Sequence, residues 1–243
     1  MERATPSSAL LRSSPSLHAR VAGLVGLLVL ASGTFARVVG SRLVVHGDTA
    51  ATAANLLASE LLYRLGMLGS LAMMIAWLFY ALLLRSLLRP AGRALASTML
   101  ALVLAAVPLY MLNQAHAYGA LLSATSGALD RVGLYLELQR FGALSAGIFF
   151  GLWLVPLGLL VLRSGFLPKT IGILLLVGSP GYLILFVQGF LVPESEPTLW
   201  SNPFLAVTHL AELSLLLWLL VRGVNVDRWE ERAAAGPVAA ALG

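Results

Sequence analysis

His209 and Glu212 are the two residues of this chain whose types and setting most strongly suggest chemistry. Both lie inside the long apolar run of residues 204–221, and their spacing of three places them on one face of a helix. Glu212 precedes Arg222 by ten residues, which is about 15 Å along a helix. That depth is close to the middle of a hydrocarbon core about 30 Å thick. Ionisable residues at this depth are costly, so they usually face a bundle interior or a partner.

Polar side chains of three other apolar runs are predicted at a similar level, in the outer half of the membrane. They are Asn113, Gln114 and His116 from the third run, Glu137 and Arg140 from the fourth, and Gln188 from the fifth. Polar groups at one depth on several helices could form a small-ligand pocket, the usual binding site of a bundle. The alternative is that these residues only mark the ends of the spans. That alternative does not explain His209 and Glu212, which lie too deep.

Three kinds of chemistry fit this candidate cluster. Together with His116 or Glu137, His209 and Glu212 could supply nitrogen and oxygen ligands to a metal such as zinc. His116 and His209 could instead be the axial ligands of a haem. A protonatable Glu212 could serve ion-coupled transport. The spacing of these residues is not specific for a metal or a haem.

The fifth apolar run is interrupted near the same depth by Gly178, Ser179, Pro180 and Gly181. Pro180 has no amide hydrogen for the carbonyl of Leu176, so an acceptor is left where lipid offers no donor. The sequence therefore predicts a helix break at the midplane. Transport sites often lie beside such interrupted helices.

A purely structural explanation connects this break with Glu212. In it, Glu212 forms a hydrogen bond with the carbonyl that Pro180 frees, and is itself protonated or paired. The candidate partners of its charge are Arg37, Arg140 and His209. This explanation needs no cofactor, and we predict none.

The elements that must position these residues are membrane helices. Hydrophobic residues make up 59% of the 243-residue chain and charged residues 11%, and the mean hydropathy is +0.88, which is typical of an integral membrane protein. The apolar runs predict six spans near residues 21–39, 65–84, 94–113, 142–162, 170–188 and 204–221. The chain has no cysteine, which excludes disulfides and thiolate metal sites.

The distribution of positive charge predicts the orientation. Eleven of the 16 Lys and Arg residues fall on one side of the membrane if the N-terminus is inside, so both termini are predicted to be cytoplasmic. Because the net charge of +5 follows the topology, it does not indicate a nucleic-acid partner. We predict a disordered cytoplasmic tail at residues 1–19, a six-helix transmembrane domain at 20–224 and a second cytoplasmic tail at 225–243. Residues 117–131 are predicted to form an outer loop of small residues.

Several short motifs resemble a known family. They are Gly-Asp-Thr-Ala-Ala-Thr-Ala-Ala-Asn at 47–55, Arg-Ser-Gly-Phe-Leu-Pro at 163–168, Glu-Leu-Ser at 212–214 and Trp-Leu-Leu-Val-Arg-Gly-Val at 218–224. Their order and spacing resemble a bacterial family of six-span membrane proteins catalogued as domain of unknown function 4386. The likeness covers roughly residues 19–225. It implies the six-span fold, and it brings no catalytic residues.

The sequence thus predicts an all-α bundle of six transmembrane helices with short connections, in the cytoplasmic membrane of a bacterium. The leading functional hypothesis is a non-catalytic protein, either an accessory subunit that packs against partner subunits or a binder of a lipophilic small molecule. The alternatives are a metal- or haem-dependent membrane enzyme using His116, His209 and Glu212, and ion-coupled transport through Glu212. An enzyme is the less favoured hypothesis, because nucleophile-elbow, Walker-loop and His-Glu-x-x-His motifs are missing from the sequence.

Overall fold

A computed structural model describes residues 14–192 and 200–235 of the chain. Its helices are α1 (Pro15–Leu43), α2 (Thr49–Ala58), α3 (Glu60–Leu88), α4 (Arg93–Thr125), α5 (Leu129–Leu152), α6 (Leu154–Ser164), α7 (Lys169–Gly178), α8 (Pro180–Leu191), α9 (Pro203–Val221) and α10 (Val226–Ala234). Six helical segments are long and apolar enough to cross a membrane, namely α1, α3, α4, α5 with α6, α7 with α8, and α9. The predicted all-α membrane bundle of six helices is confirmed.

The six spans form a closed ring. Each span packs against the spans that precede and follow it in the chain, and α9 packs back against α1. We call the side on which α1 begins and α9 ends the terminal side, and the opposite side the far side. A ring of six helices leaves a central space, and side chains must fill it or line a cavity.

On the terminal side, leucines fill the centre of the ring. Leu84, Leu88 and Leu160 have no exposed surface, and they belong to one large apolar core. Glycine permits the closest helix contact there, because a Cβ atom on Gly23 would lie 2.6 Å from the backbone nitrogen of Leu220. Such small residues let membrane helices approach closely and pack by van der Waals contact.

Helix α10 covers part of this terminal side. Its Trp229 donates a hydrogen bond from Nε1 to the carbonyl of Leu87 at 2.9 Å, and Arg228 donates to the carbonyl of Gly165 at 3.1 Å. The Asn225 side chain accepts from the amide of Arg228 and caps the helix. Much of the predicted C-terminal tail is therefore a docked helix, while residues 236–243 lie outside the described part.

Helix α1 begins earlier than the tail boundary predicted at residue 19. The Ser14 side chain accepts a hydrogen bond from the amide of Leu17, and Pro15 stands at the first helical position. Both features favour helix initiation. Residues 1–13, the rest of the predicted N-terminal tail, lie outside the described part.

The far side differs from the prediction of a loop over residues 117–131. Helix α4 continues to Thr125 over 33 residues, or about 50 Å, and only a short turn separates it from α5. Helix α2 packs against both, where Ala53, Ala124 and Val132 form a small apolar cluster. The alanine-rich sequence favours helix, and the packing of α2 stabilises the extension.

Two of the spans are interrupted locally at a proline, although each continues as one helix across the interruption. In the fifth, α7 and α8 meet at Ser179, immediately before Pro180, where the sequence predicts a break. The fourth is divided at Trp153, between α5 and α6. Pro156 lacks the amide hydrogen that would pair with the carbonyl of Leu152, so the break has the same physical cause.

Candidate functional site

The ring surrounds a partly open cavity of about 620 Å³. Side chains from all six spans line it. Along α1 its lining runs from Gly26 to Gly40, a length of about 21 Å. The cavity therefore extends from the packed core on the terminal side towards the far side of the membrane.

Aromatic rings form much of the cavity wall. The ring centroids of Trp77 and Phe150 lie 4.6 Å apart, and those of Trp77 and Trp153 lie 5.4 Å apart. Phe150 also contacts Tyr182 at 5.6 Å between centroids. These are edge-to-face pairs, which stabilise packing beyond the area that they bury. Because aromatic rings from several spans pack against one another, this part of the cavity wall is well packed.

Glu212 faces the cavity and has one hydrogen-bond partner among the described residues. The hydroxyl of Tyr182 donates to its Oε2 at 3.4 Å. His209, one turn away, also lines the cavity and packs edge-to-face on the Tyr182 ring, with 6.1 Å between the centroids. The pair predicted from the apolar run is thus brought together with Tyr182, whose role the sequence did not indicate.

The partners predicted for the charge of Glu212 do not pair with it. Within residues 14–192 and 200–235, Glu212 forms no ion pair within 4.0 Å, and the ion pairs found there join Arg64 to Glu60 and Arg140 to Glu137. Arg37 lines the same cavity.

Ser179, and not Glu212, satisfies the carbonyl that Pro180 frees. Its Oγ donates to the carbonyl of Leu176 at 2.9 Å. The structural explanation of Glu212 as the partner of this carbonyl is therefore wrong. A serine one residue before the proline reaches this carbonyl over a single turn of its own helix.

Thr208 of the sixth span and Asn202, the residue just before that span, bind two further carbonyls beside Pro180. The hydroxyl of Thr208 donates to the carbonyl of Gly178 at 2.5 Å, and Asn202 Nδ2 donates to the carbonyl of Gly181 at 2.9 Å. Both side chains are almost fully buried, with 0% and 2% of their surface exposed. These two hydrogen bonds thus hold α9, the helix that carries Glu212, against the fifth span.

The glycines of the break allow α9 to come this close. A Cβ atom on Gly178 would lie 2.8 Å from the backbone of Thr208, and one on Gly181 would lie 2.8 Å from the backbone of Leu205. The residues at this boundary therefore act together. They separate α7 from α8 and leave room for the sixth span to pack closely, and they are Gly178, Ser179, Pro180 and Gly181.

The rest of the predicted polar cluster lies apart from His209 and Glu212. Asn113 donates from Nδ2 to the carbonyl of Gln139 at 2.8 Å, and its Oδ1 lies 2.9 Å from Nδ1 of His116. Glu137 and Arg140 form an exposed ion pair at 3.2 Å. These four residues do not line the cavity. The predicted cluster is therefore split between two places.

The two predicted glutamines belong to neither group. Gln114 is buried, and its Nε2 has no hydrogen-bond partner in the described part of the chain. Gln188 donates from Nε2 to the carbonyl of Ser201 at 2.8 Å. Gln139 is the polar residue of the fourth span that lines the cavity.

The candidate metal ligands are not brought together. Among the residues that the structure describes, no three His, Asp or Glu side chains are grouped so that they could hold a metal ion. His116 does not reach the cavity that His209 lines. The described side chains thus offer neither the metal site of His116, His209 and Glu212 nor a pair of histidines facing one haem.

Comparison with known proteins gives a relative and a family. No solved structure matches the chain. A stretch of 79 residues is 34% identical to an uncharacterized protein of Archaeoglobus fulgidus, and it covers 31% of this chain and 43% of that protein. The model of one family, described as a domain of unknown function (DUF4386), matches residues 21–223. This match spans all six membrane helices, and the chain belongs to that family.

Proposed function

We propose that this protein binds a lipophilic small molecule in its central cavity and does not transform it. The observation that carries the proposal is the cavity of about 620 Å³ lined by every span. Ligand sites typically measure about 300–1,000 Å³ and combine apolar walls with a few placed polar groups. Here the apolar walls include Trp77 and Phe150, and the polar groups include Arg37 and Glu212.

The packing of the rest of the bundle supports a binding role for this space. Protein interiors are normally close-packed and leave few voids larger than a water molecule. The terminal side follows that rule, with Leu84, Leu88 and Leu160 fully buried. A large cavity beside so well packed a core is better explained by an occupant than by inefficient packing.

Ion-coupled transport is the second candidate function. It is favoured by one arrangement, in which Glu212 faces the cavity and its helix is fixed to the break between α7 and α8. Carboxylates beside interrupted helices recur at the coupling sites of transporters. Under this alternative Glu212 would carry the coupled proton.

The cellular setting is also part of the proposal. The excess of Lys and Arg on the terminal side supports a cytoplasmic location for both ends of the chain. We assign the protein to the cytoplasmic membrane of a bacterium, with the cavity in the outer half of the bilayer. A binding protein of this kind would also be suited to the role of an accessory subunit, which presents its ligand to a membrane partner.

A cavity-filling variant tests the binding function. Gly40 lines the cavity, and a Cβ atom added there meets no atom within 4 Å, so Gly40→Phe should place a ring in the cavity without disrupting α1. The matched control is Ser41→Phe, because Ser41 is the exposed neighbour on the same helix and does not line the cavity. Both variants should keep the melting temperature of the wild type.

The readout is the binding of N-phenyl-1-naphthylamine, a neutral probe whose fluorescence rises in apolar sites. We expect Gly40→Phe to weaken probe binding at least about tenfold, the equivalent of about 1.4 kcal/mol, while Ser41→Phe binds like the wild type. Native mass spectrometry of gently extracted protein should show a bound small molecule that Gly40→Phe loses. Equal probe binding by all three proteins would overturn the proposal.

A further inference from the structure

We infer that the cavity is filled directly from the bilayer, through a gap between α1 and α9, by an amphiphile whose anionic head group is bound by Arg37. This inference rests on the proposed function, because it names the class of ligand and its route into the same cavity. Three observations carry it: the way α1 and α9 contact each other, the residues that line their edges, and the setting of Arg37.

Helices α1 and α9 are held together on the terminal side. Gly23 lies against the backbone of Leu220, and a Cβ atom on Gly26 would lie 3.4 Å from the side chain of Leu216. The two helices are antiparallel, so each step along α1 towards the far side corresponds to a step back along α9. These contacts hold the two helices together at the terminal-side end of the α1–α9 boundary.

Beyond these contacts, the same boundary is lined by residues that face the cavity and are also exposed. On α1 they are Leu30, Thr34 and Arg37, and on α9 they are His209 and Leu213. Leu30 is 44% exposed and Leu213 is 40% exposed. Residues of a sealed cavity would be buried, so these two rows border an opening. In a membrane the opening faces lipid, and a molecule dissolved in the bilayer can enter sideways.

The contacts between α1 and α9 also give the relative depth of the charged groups. Because Gly23 lies level with Leu220 and Gly26 with Leu216, Glu212 lies level with about residue 30 of α1. Arg37 is then about seven residues further towards the far side, a rise of about 10 Å. The cavity therefore has a cation near its far-side end and an aromatic wall towards the terminal side.

Arg37 is a cation with no bonded anion in the described part of the chain. It forms neither a hydrogen bond nor an ion pair within 4.0 Å with any residue that the structure describes. Guanidinium groups bind carboxylates and phosphates through two parallel hydrogen bonds. An anionic head group at Arg37 would leave the apolar tail to run past Tyr182 towards Trp77 and Trp153, which matches a ligand lying parallel to the lipids.

Head-group selectivity tests the ligand class. Four probes with one tail would compete with N-phenyl-1-naphthylamine for protein in phosphatidylcholine vesicles: hexadecanoate, hexadecyl phosphate, methyl hexadecanoate and hexadecylamine. We expect at least one anion to bind about tenfold or more tightly than the neutral ester, from its charge-assisted hydrogen bonds. The better of the two anions identifies the head group as carboxylate or phosphate.

Two arginine variants assign this preference. Arg37→Gln should remove the preference for the anion and keep the affinity for methyl hexadecanoate. Arg42→Gln is the matched control, because Arg42 lies in the last turn of α1 and does not line the cavity, and it should keep the preference. An anion preference that survives Arg37→Gln would overturn the assignment of Arg37, and tightest binding of hexadecylamine would overturn the anionic head group.

The route of entry is tested by exchange rates. The double variant Leu30→Trp with Leu213→Trp should narrow the gap and slow both uptake and release of the best probe at least about fivefold. The control pair, Leu27→Trp with Leu217→Trp, alters exposed residues of the same helices that do not line the cavity. Its rates should match those of the wild type. Equal rates in the two double variants would overturn lateral entry.

The possible failures are distinguishable. If none of the four amphiphiles displaces the neutral probe, and Gly40→Phe binds that probe like the wild type, both the binding function and this inference fail. If the neutral ester binds as well as the anions and Gly40→Phe weakens it, the binding function holds and the anionic head group is wrong.

Discussion

Thr208 of the sixth span donates its hydroxyl hydrogen to the carbonyl of Gly178, thirty residues earlier in the chain. The carbonyl ends helix α7, and the threonine lies one turn from Glu212. This bond links the interruption of the fifth span to the wall of the cavity. The carbonyl that Pro180 frees belongs to Leu176 and is bound by Ser179, so the bond from Thr208 is a separate long-range contact that orients α9 beside the interruption.

The first prediction concerns this bond. Thr208→Val removes the donor while keeping the shape of a fully buried side chain, so it should lower the free energy of unfolding by about 0.5–1.5 kcal/mol. Thr208→Ser keeps the hydroxyl and should lose less. Unfolding in mixed micelles of increasing denaturing detergent measures both variants, and equal stability of Thr208→Val and the wild type would show that the bond contributes nothing.

The second prediction concerns the space at Gly178. Gly178→Ala places a methyl group 2.8 Å from the backbone of Thr208, so it should push α9 away and destabilise the protein by about 1–3 kcal/mol. Gly147→Ala is the control, because a Cβ atom there meets nothing within 4 Å, and it should be neutral or slightly stabilising. The same unfolding assay measures the difference, and a neutral Gly178→Ala would contradict the proposed close contact.

The third prediction separates ligand binding from transport. In Glu212→Gln the amide oxygen can still accept the hydrogen bond from Tyr182, so both fold stability and probe binding should stay close to those of the wild type. Coupled proton movement, in contrast, needs an ionisable group at this position. A proton flux in proteoliposomes that Glu212→Gln abolishes would favour the transport alternative over simple binding.

The fourth prediction tests the orientation of the chain. Because the protein has no cysteine, single cysteines can be introduced without a background. Glu230→Cys, in α10, should react with a membrane-impermeant maleimide only after cells are opened, whereas Asp130→Cys, on the far side, should react in intact cells. Both positions are exposed. The reverse pattern would place the termini outside.

The sequence predicted the elements of this fold better than their contacts. Six spans follow from apolar run length, and the break at Pro180 follows from the missing amide hydrogen, which depends only on local chemistry. The depth of Glu212 in the membrane, which comes from counting residues to Arg222, stays a prediction. Each of these properties is set within a single helix.

The errors arose where one helix depends on another. The extension of α4 to Thr125 is stabilised by α2, which is distant in sequence, and the partner of Glu212 depends on how the α8 and α9 faces are rotated. The side chains of Asn113 and His116 form a hydrogen bond with each other within one helix. Neither of them lines the cavity. An earlier signal was available in Trp77 and Tyr80, whose spacing of three places two large aromatic residues on one face of the second span.

The closed ring has a further consequence for its mechanics. Every pair of neighbouring spans is joined by a connecting segment of the chain, except α1 and α9, which meet only because the ring closes. No loop therefore joins α1 directly to α9 at their boundary. A separation of α1 from α9 would therefore stretch no connecting loop.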